Sequence, residues 1–159
     1  MSGDDRLPKF MVDRMLGSLA KWLRMLGYDS RYDNDLTDEE IARIAKEEGR
    51  ALLTRDRALA EKGGGVLIET TDLDEQLSAV AKLFSLTYGA ERRRCSVCNG
   101  RLAGIDARRA KELVPAKSFE VAKEYWVCES CGKAYWDGTH WVGIMERFRR
   151  LGLAGEGSA

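Results

Sequence analysis

The chain of 159 residues holds a single histidine, His140, and no serine in a nucleophile-elbow pattern, which argues against a Ser-His-Asp triad. It has no GxxxxGK[ST] loop, so it lacks that means of cradling nucleotide phosphates. No apolar run approaches the ~20 residues that span a bilayer. The opening MSGDDRLPKF is acidic and polar, unlike a secretory signal, so the expected location is cytoplasmic with no membrane role. There is no internal repeat, which removes solenoid architectures, and no low-complexity tract. An excess of one charge is also missing, because 26 basic residues balance 26 acidic ones.

What is present suits a folded protein that buries a core: 44% of residues are hydrophobic and 33% charged. The charge balance hides an asymmetry. Residues 1–90 carry 13 Lys/Arg against 17 Asp/Glu, and residues 91–159 carry 13 against 9. An acidic half joined to a basic half suggests two modules, one suited to cations and one to a polyanion. The expected division is an α/β module over 1–90, a ribbon with a C-terminal helix over 91–150, and a flexible tail over 151–159.

The acidic half alternates strand and helix signals. Phe10–Asp13 reads as a buried strand. Leu16, Leu19, Ala20, Leu23 and Leu26 then recur on one helical face, and Gly27 stands where a helix cap belongs. Ser30–Tyr32 reads as a second strand. Thr37-Asp38-Glu39-Glu40 forms a capping box before Ile41, Ile44 and Ala45. Ala51–Thr54 and Val66–Ile68 read as strands around a short helix that Gly63-Gly64-Gly65 breaks. Asp72 opens a last helix. Strands separated by helices predict a parallel sheet covered by helices.

All four cysteines lie in the basic half, as Cys95-x-x-Cys98 and Cys128-x-x-Cys131. Two tight turns that each aim two sulfurs at one point match tetrahedral zinc, with no position left open, so the expected Zn²⁺ is structural. Apolar segments at Leu102, Ile105, Val121, Tyr125–Val127 and Ala134–Trp136 suggest strands, hence a zinc ribbon. A module of this size has little core, so metal must supply much of its folding energy. Trp126, Trp136 and Trp141 read either as that core or as surfaces on which bases stack. His140 reads as a hydrogen-bonding residue rather than a ligand.

Ligands of parallel sheets bind beyond the strands' C-terminal ends, at a topological switch point. Asp13 ends the first strand, Asp56 follows the third, and Asp38 opens the helix after the second. Asp35 and Glu39 lie close by. Carboxylates gathered there stay ionised with a cation among them, and Mg²⁺ suits such a set. Helix capping explains Asp56 and Asp72 equally well, and dipole interaction explains Asp38 and Glu39. Asp13 is hardest to explain without a ligand.

Four stretches, FMVDRMLGSLAKWLRMLGYD (10–29), DLTDEEIARIAKEEGRALLTRDRAL (35–59), CSVC (95–98) and CESCGKAYWDGTHW (128–141), resemble one known family. It is the PIN-like RNase domain with a C-terminal zinc ribbon, named after the C-terminus of the Mut-seven exonuclease. The resemblance implies a PIN-like α/β fold followed by a small Cys₄ ribbon. It also implies RNA phosphodiester hydrolysis dependent on Mg²⁺ or Mn²⁺. Asp13, Asp38 and Asp56 match the family's acids, with Thr54 in support. Asp72 and Asp74 are candidates for a fourth. Lys21 and Arg24 fall in the matching helix and, with Arg55, Arg57, Arg93 and Arg94, are candidates to meet RNA phosphates. The alternative is an RNA- or ribosome-associated adaptor with weak or no catalysis.

Overall fold

The computed structural model describes residues 6–155. Four parallel strands, β1 Phe10–Val12, β2 Ser30–Tyr32, β3 Ala51–Thr54 and β4 Val66–Leu67, form a sheet in the order β2-β1-β3-β4. Helices α1 Gly17–Leu26, α2 Asp38–Glu47 and α3 Arg57–Gly63 connect them, and α4 Leu73–Phe84 follows β4. Val12 pairs with both Tyr32 and Leu53, so three strands end level with one another.

Successive strand residues face opposite sides of a sheet. Phe10, Val12 and Leu53 therefore join Leu19, Leu23, Leu77 and Val80 from α1 and α4 in one buried cluster. Met11 and Leu52 join Ile41, Ile44 and Leu59 from α2 and α3 in another. The result is three layers, with the sheet in the middle. Gly27 ends α1 in the left-handed region at φ 119°, and its N–H bonds the carbonyls of Leu23 and Arg24. The Thr37 side chain and the Glu40 carboxylate make both bonds of the capping box that starts α2.

The basic half forms a separate antiparallel sheet of β5 Leu102–Ile105, β6 Tyr125–Cys128 and β7 Ala134–Trp136. Between β5 and β6 lie two short helices, α5 Ala107–Leu113 and α6 Ala116–Val121. Val121, expected in a strand, ends α6 and is 72% exposed. Asp106 accepts from the Arg109 N–H and starts α5 by an ordinary cap.

The last helix, α7 Thr139–Arg150, follows the ribbon in the chain. Its Ile144, Met145 and Phe148 lie in the core of the first module, not in that of the ribbon. Phe148 meets Trp22 edge-on at 5.6 Å and stacks on Tyr88 at 5.7 Å. The chain thus leaves the first module, builds the ribbon, and returns. The apolar residues of α7 join the larger apolar cluster, to which α1 and α4 contribute Leu19, Leu23, Leu77 and Val80.

The tail is expected from residue 151. Leu153 is buried and its carbonyl accepts the Tyr88 N–H. Residues 156–159 of that tail, like residues 1–5, lie outside the described residues. No helix among the described residues is long and apolar enough to cross a membrane.

Candidate active site and metal centre

In this strand order the chain turns one way from β1 and the other way from β3, so the switch point lies between them. Asp13 sits there at the end of β1, 4% exposed. Its Oδ1 accepts the Arg14 N–H at 2.7 Å and its Oδ2 accepts the Thr54 hydroxyl at 2.8 Å. The same Thr54 oxygen accepts the Asp56 N–H at 2.9 Å. Thr54 thus links the ends of two strands. Asp56 is exposed and caps α3 by accepting the Leu59 N–H.

The other acids are more exposed than Asp13. Asp38 opens α2 and is exposed, as is Asp35. Glu39 is also exposed, and its own backbone N–H and the Lys62 ammonium hold its carboxyl below the usual range. Asp72 caps α4, and Asp74 pairs with Arg147 and Arg150 of α7. Among the described residues, no three carboxylates bring their oxygens within 4.8 Å of one another.

The sequence-predicted phosphate contacts divide. Lys21 is exposed on α1. Arg57 pairs with Glu69 at 3.1 Å, and Arg55 donates to the Glu69 carbonyl. Arg24 is no surface group: at 4% exposure it donates to the carbonyls of Ser30 and Ser96, each at 2.9 Å. Burial lowers its pKa, against the raising pull of Cys95, Cys98 and Asp29. The helix face it occupies is the one the ribbon covers. Arg93 is buried between the rings of Trp126 and Trp141, at 4.1 and 4.5 Å, and donates to the Ala90 carbonyl. Arg94 donates to the Asn99 carbonyl.

The four cysteines do converge. Their sulfurs all lie within 4.8 Å of one another, with Cys95–Cys131 at 3.7 Å and Cys98–Cys128 at 3.4 Å. Tetrahedral zinc with bonds near ~2.3 Å requires sulfur separations of about 3.8 Å. The N–H groups of Ser130 and Cys131 both point at Cys128 Sγ. Burial opposes that thiolate, but those N–H groups and the neighbouring thiols outweigh it and lower the Cys128 pKa to about 7. Burial and the three other thiols push Cys98 up to about 12. Four thiols so placed cannot all ionise without a cation among them, and they can hold a metal such as zinc.

Several residues that matter here were not singled out from sequence. A Cβ at Gly100 would come within 2.7 Å of Cys128 Sγ, so glycine is required beside the metal centre. Asn99, at φ 69°, follows the first CxxC just as Gly132, at φ 79°, follows the second. That position after each pair was the available signal, because closing the turn needs a left-handed residue. Asn99 accepts the Ser30 N–H and donates to Asp29, tying the metal turn to the edge of the first sheet. The Tyr135 hydroxyl lies 3.0 Å from Cys95 Sγ.

The fold and site define a class: a mixed α/β protein with a helix-flanked parallel sheet, a buried carboxylate at its switch point and an appended four-cysteine ribbon. The family model of the Mut7-C RNAse domain matches residues 8–148, and the chain belongs to that family. Membership supports a ribonuclease-type function with RNA as the substrate class. No curated protein and no solved structure matches the chain.

Proposed function

We propose that the protein is a Mg²⁺- or Mn²⁺-dependent ribonuclease that hydrolyses RNA phosphodiester bonds, with zinc in the ribbon and the ribbon aiding RNA binding. The observation that carries this is Asp13. A carboxylate buried at the end of an apolar strand costs free energy unless its oxygens find partners. Each Asp13 oxygen accepts one protein hydrogen bond, which leaves a lone pair on each. Mg²⁺ takes one or two carboxylates and keeps waters, so it needs no closed trio of acids, and Asp13 and Asp56 are the ligands we assign to it. Such an ion would supply water activation and stabilise both oxygens of an in-line displacement.

The protein's own groups have separable tasks. Asp13 places a carboxylate at the switch point. Thr54 fixes the Asp13 rotamer by donating to it, and fixes the Asp56 backbone by accepting from it. Asp38 adds negative potential at the rim. Arg55 and Arg57 stand beside Asp56, where a phosphate backbone would pass. Lys21, exposed on α1 one helix turn beyond Gly17, is a further candidate to meet phosphate.

The spacing of the carboxylates favours a second reading, an RNA- or ribosome-associated adaptor that keeps the fold but cleaves weakly or not at all. Asp74, one candidate fourth acid, is engaged by two arginines. Purified protein incubated with single-stranded and with structured RNA, with Mn²⁺ supplied or withheld, decides between them. Mn²⁺-dependent cleavage is the expected result. Binding with no cleavage in either condition would establish the adaptor instead.

A further inference from the structure

A cavity of 240 Å³ lies on the seam between the two modules. Tyr135 and Trp136 of β7 and Trp141 of α7 form its walls, and Met25 of α1 and Ile144 of α7 supply further apolar surface. Lys133 and His140, both exposed, line it too. No carboxylate lines it. Neighbouring clefts differ: one is lined by Asp29, Glu91 and Glu129 among its arginines, another by Glu91, Glu124 and Asp137. Aromatic walls together with the Lys133 ammonium and the Arg93 and Arg94 guanidiniums match a flat, apolar-faced group attached to an anion. We propose that this cavity is a pocket for an unstacked nucleobase of single-stranded RNA.

The walls are held by neighbouring residues that also line the cavity. Arg93 stacks between Trp126 and Trp141 and fixes the latter ring. Tyr135 is held through its hydroxyl, which accepts the Ser96 N–H at 3.1 Å, while the Lys133 ammonium lies 5.7 Å above its ring. A base entering beside rings that are already held orders few groups, which favours binding. The ring faces are indifferent to base identity, so the pocket accepts any base, with larger rings stacking more strongly.

Position connects the pocket to the proposed site of cleavage. Helix α1 starts at the carboxylate edge and runs to Leu26, so Met25 lies about 12 Å along its axis from Gly17. Lys21, four residues before Met25, shares its face one turn nearer that edge. A strand whose base sits in the pocket then passes Lys21 on its way to Asp13. The proposal deepens the reading of RNA as the ligand, and cleavage is not needed for its test.

The test uses the full chain carrying Asp13→Asn, so that bound RNA stays intact. Fluorescence anisotropy compares labelled oligouridylate with an abasic oligomer of equal phosphate number. The base-containing oligomer should bind more tightly. Trp136→Ala should weaken it about tenfold while leaving the abasic oligomer unchanged, and Trp136→Phe should restore it. Equal binding of both oligomers overturns the pocket, as does a folded Trp136→Ala chain that binds like its parent. Trp136 also packs against the ribbon core, so His140→Glu supplies a second variant. A carboxylate in the first turn of α7 suits the helix dipole, and it should repel RNA from the mouth of the pocket. Photocrosslinking of 4-thiouridine RNA to the parent chain should label Tyr135, Trp136 or Trp141, and labelling confined to other surfaces sinks the proposal. Cleavage by the native chain without base-dependent binding removes the pocket and leaves the nuclease. Base-dependent binding by a chain that cleaves nothing does the reverse.

Discussion

At the scale of single residues, two carboxylates do different work. Asp13 is buried and tied to Thr54, so the Thr54 hydroxyl is a partner whose loss leaves a buried oxygen unsatisfied. Thr54→Val keeps the shape and removes the donor, and it should cost about 1–3 kcal/mol in urea unfolding. Asp29 instead joins modules: Arg50 bonds it at 2.8 Å and Asn99 at 2.7 Å. Burial raises its pKa, but those partners and the Arg94 charge outweigh burial and lower it. Its stabilising contribution is therefore complete above the ordinary carboxylate value near ~4 and is lost as pH falls through its lowered value. Asp29→Asn should flatten the acid limb of the stability profile, measured by denaturation across pH. An unchanged limb would contradict that role. Asp13 was legible in sequence because a carboxylate ending an apolar strand is costly. Arg24 was misread because periodicity gives its helix face but not what covers that face.

At the scale of elements, local signals carried most of the first module. The capping box at Thr37, the cap at Gly27 and the alternation of apolar runs place α1, α2 and β1–β3 where they stand. Helix α5 also had its signal, Asp106 before a helix-forming run. Helix α7 is the instructive miss. Its apolar stripe was visible, yet no local pattern says which of two cores it enters. Phe148 is fully buried against Trp22 and Tyr88. Phe148→Ala should destabilise the first module by about 3–5 kcal/mol, although the residue lies more than fifty positions beyond that module's last strand-linked helix, α4. A loss confined to the ribbon, seen by hydrogen exchange, would contradict the packing described. The Asp74 pairs with Arg147 and Arg150 add little, since partly exposed pairs contribute under about 1 kcal/mol.

At the scale of the whole molecule, the ribbon is clamped rather than tethered. Arg24 reaches from α1 into the first cysteine turn, the Arg94 N–H donates to the Arg24 carbonyl, and Asn99 bonds the edge strand. Metal loss should therefore be felt in both modules. Cys128→Ser, or chelation, should remove about one zinc per chain and lower the thermal midpoint of the first module as well as the ribbon. Two independent transitions, with the first unchanged, would contradict the clamp. The surface joining the ribbon to the parallel sheet depends on residues far apart in sequence, such as Arg24 with Ser96 and Ser30 with Asn99, and was not legible. The central claim is that Asp13 at the switch point carries catalysis. The direct measurement is RNA hydrolysis with Mn²⁺ by the native chain and by Asp13→Asn, with RNA affinity measured alongside. The account predicts cleavage reduced to background in Asp13→Asn with affinity retained. Undiminished cleavage by that variant would contradict it.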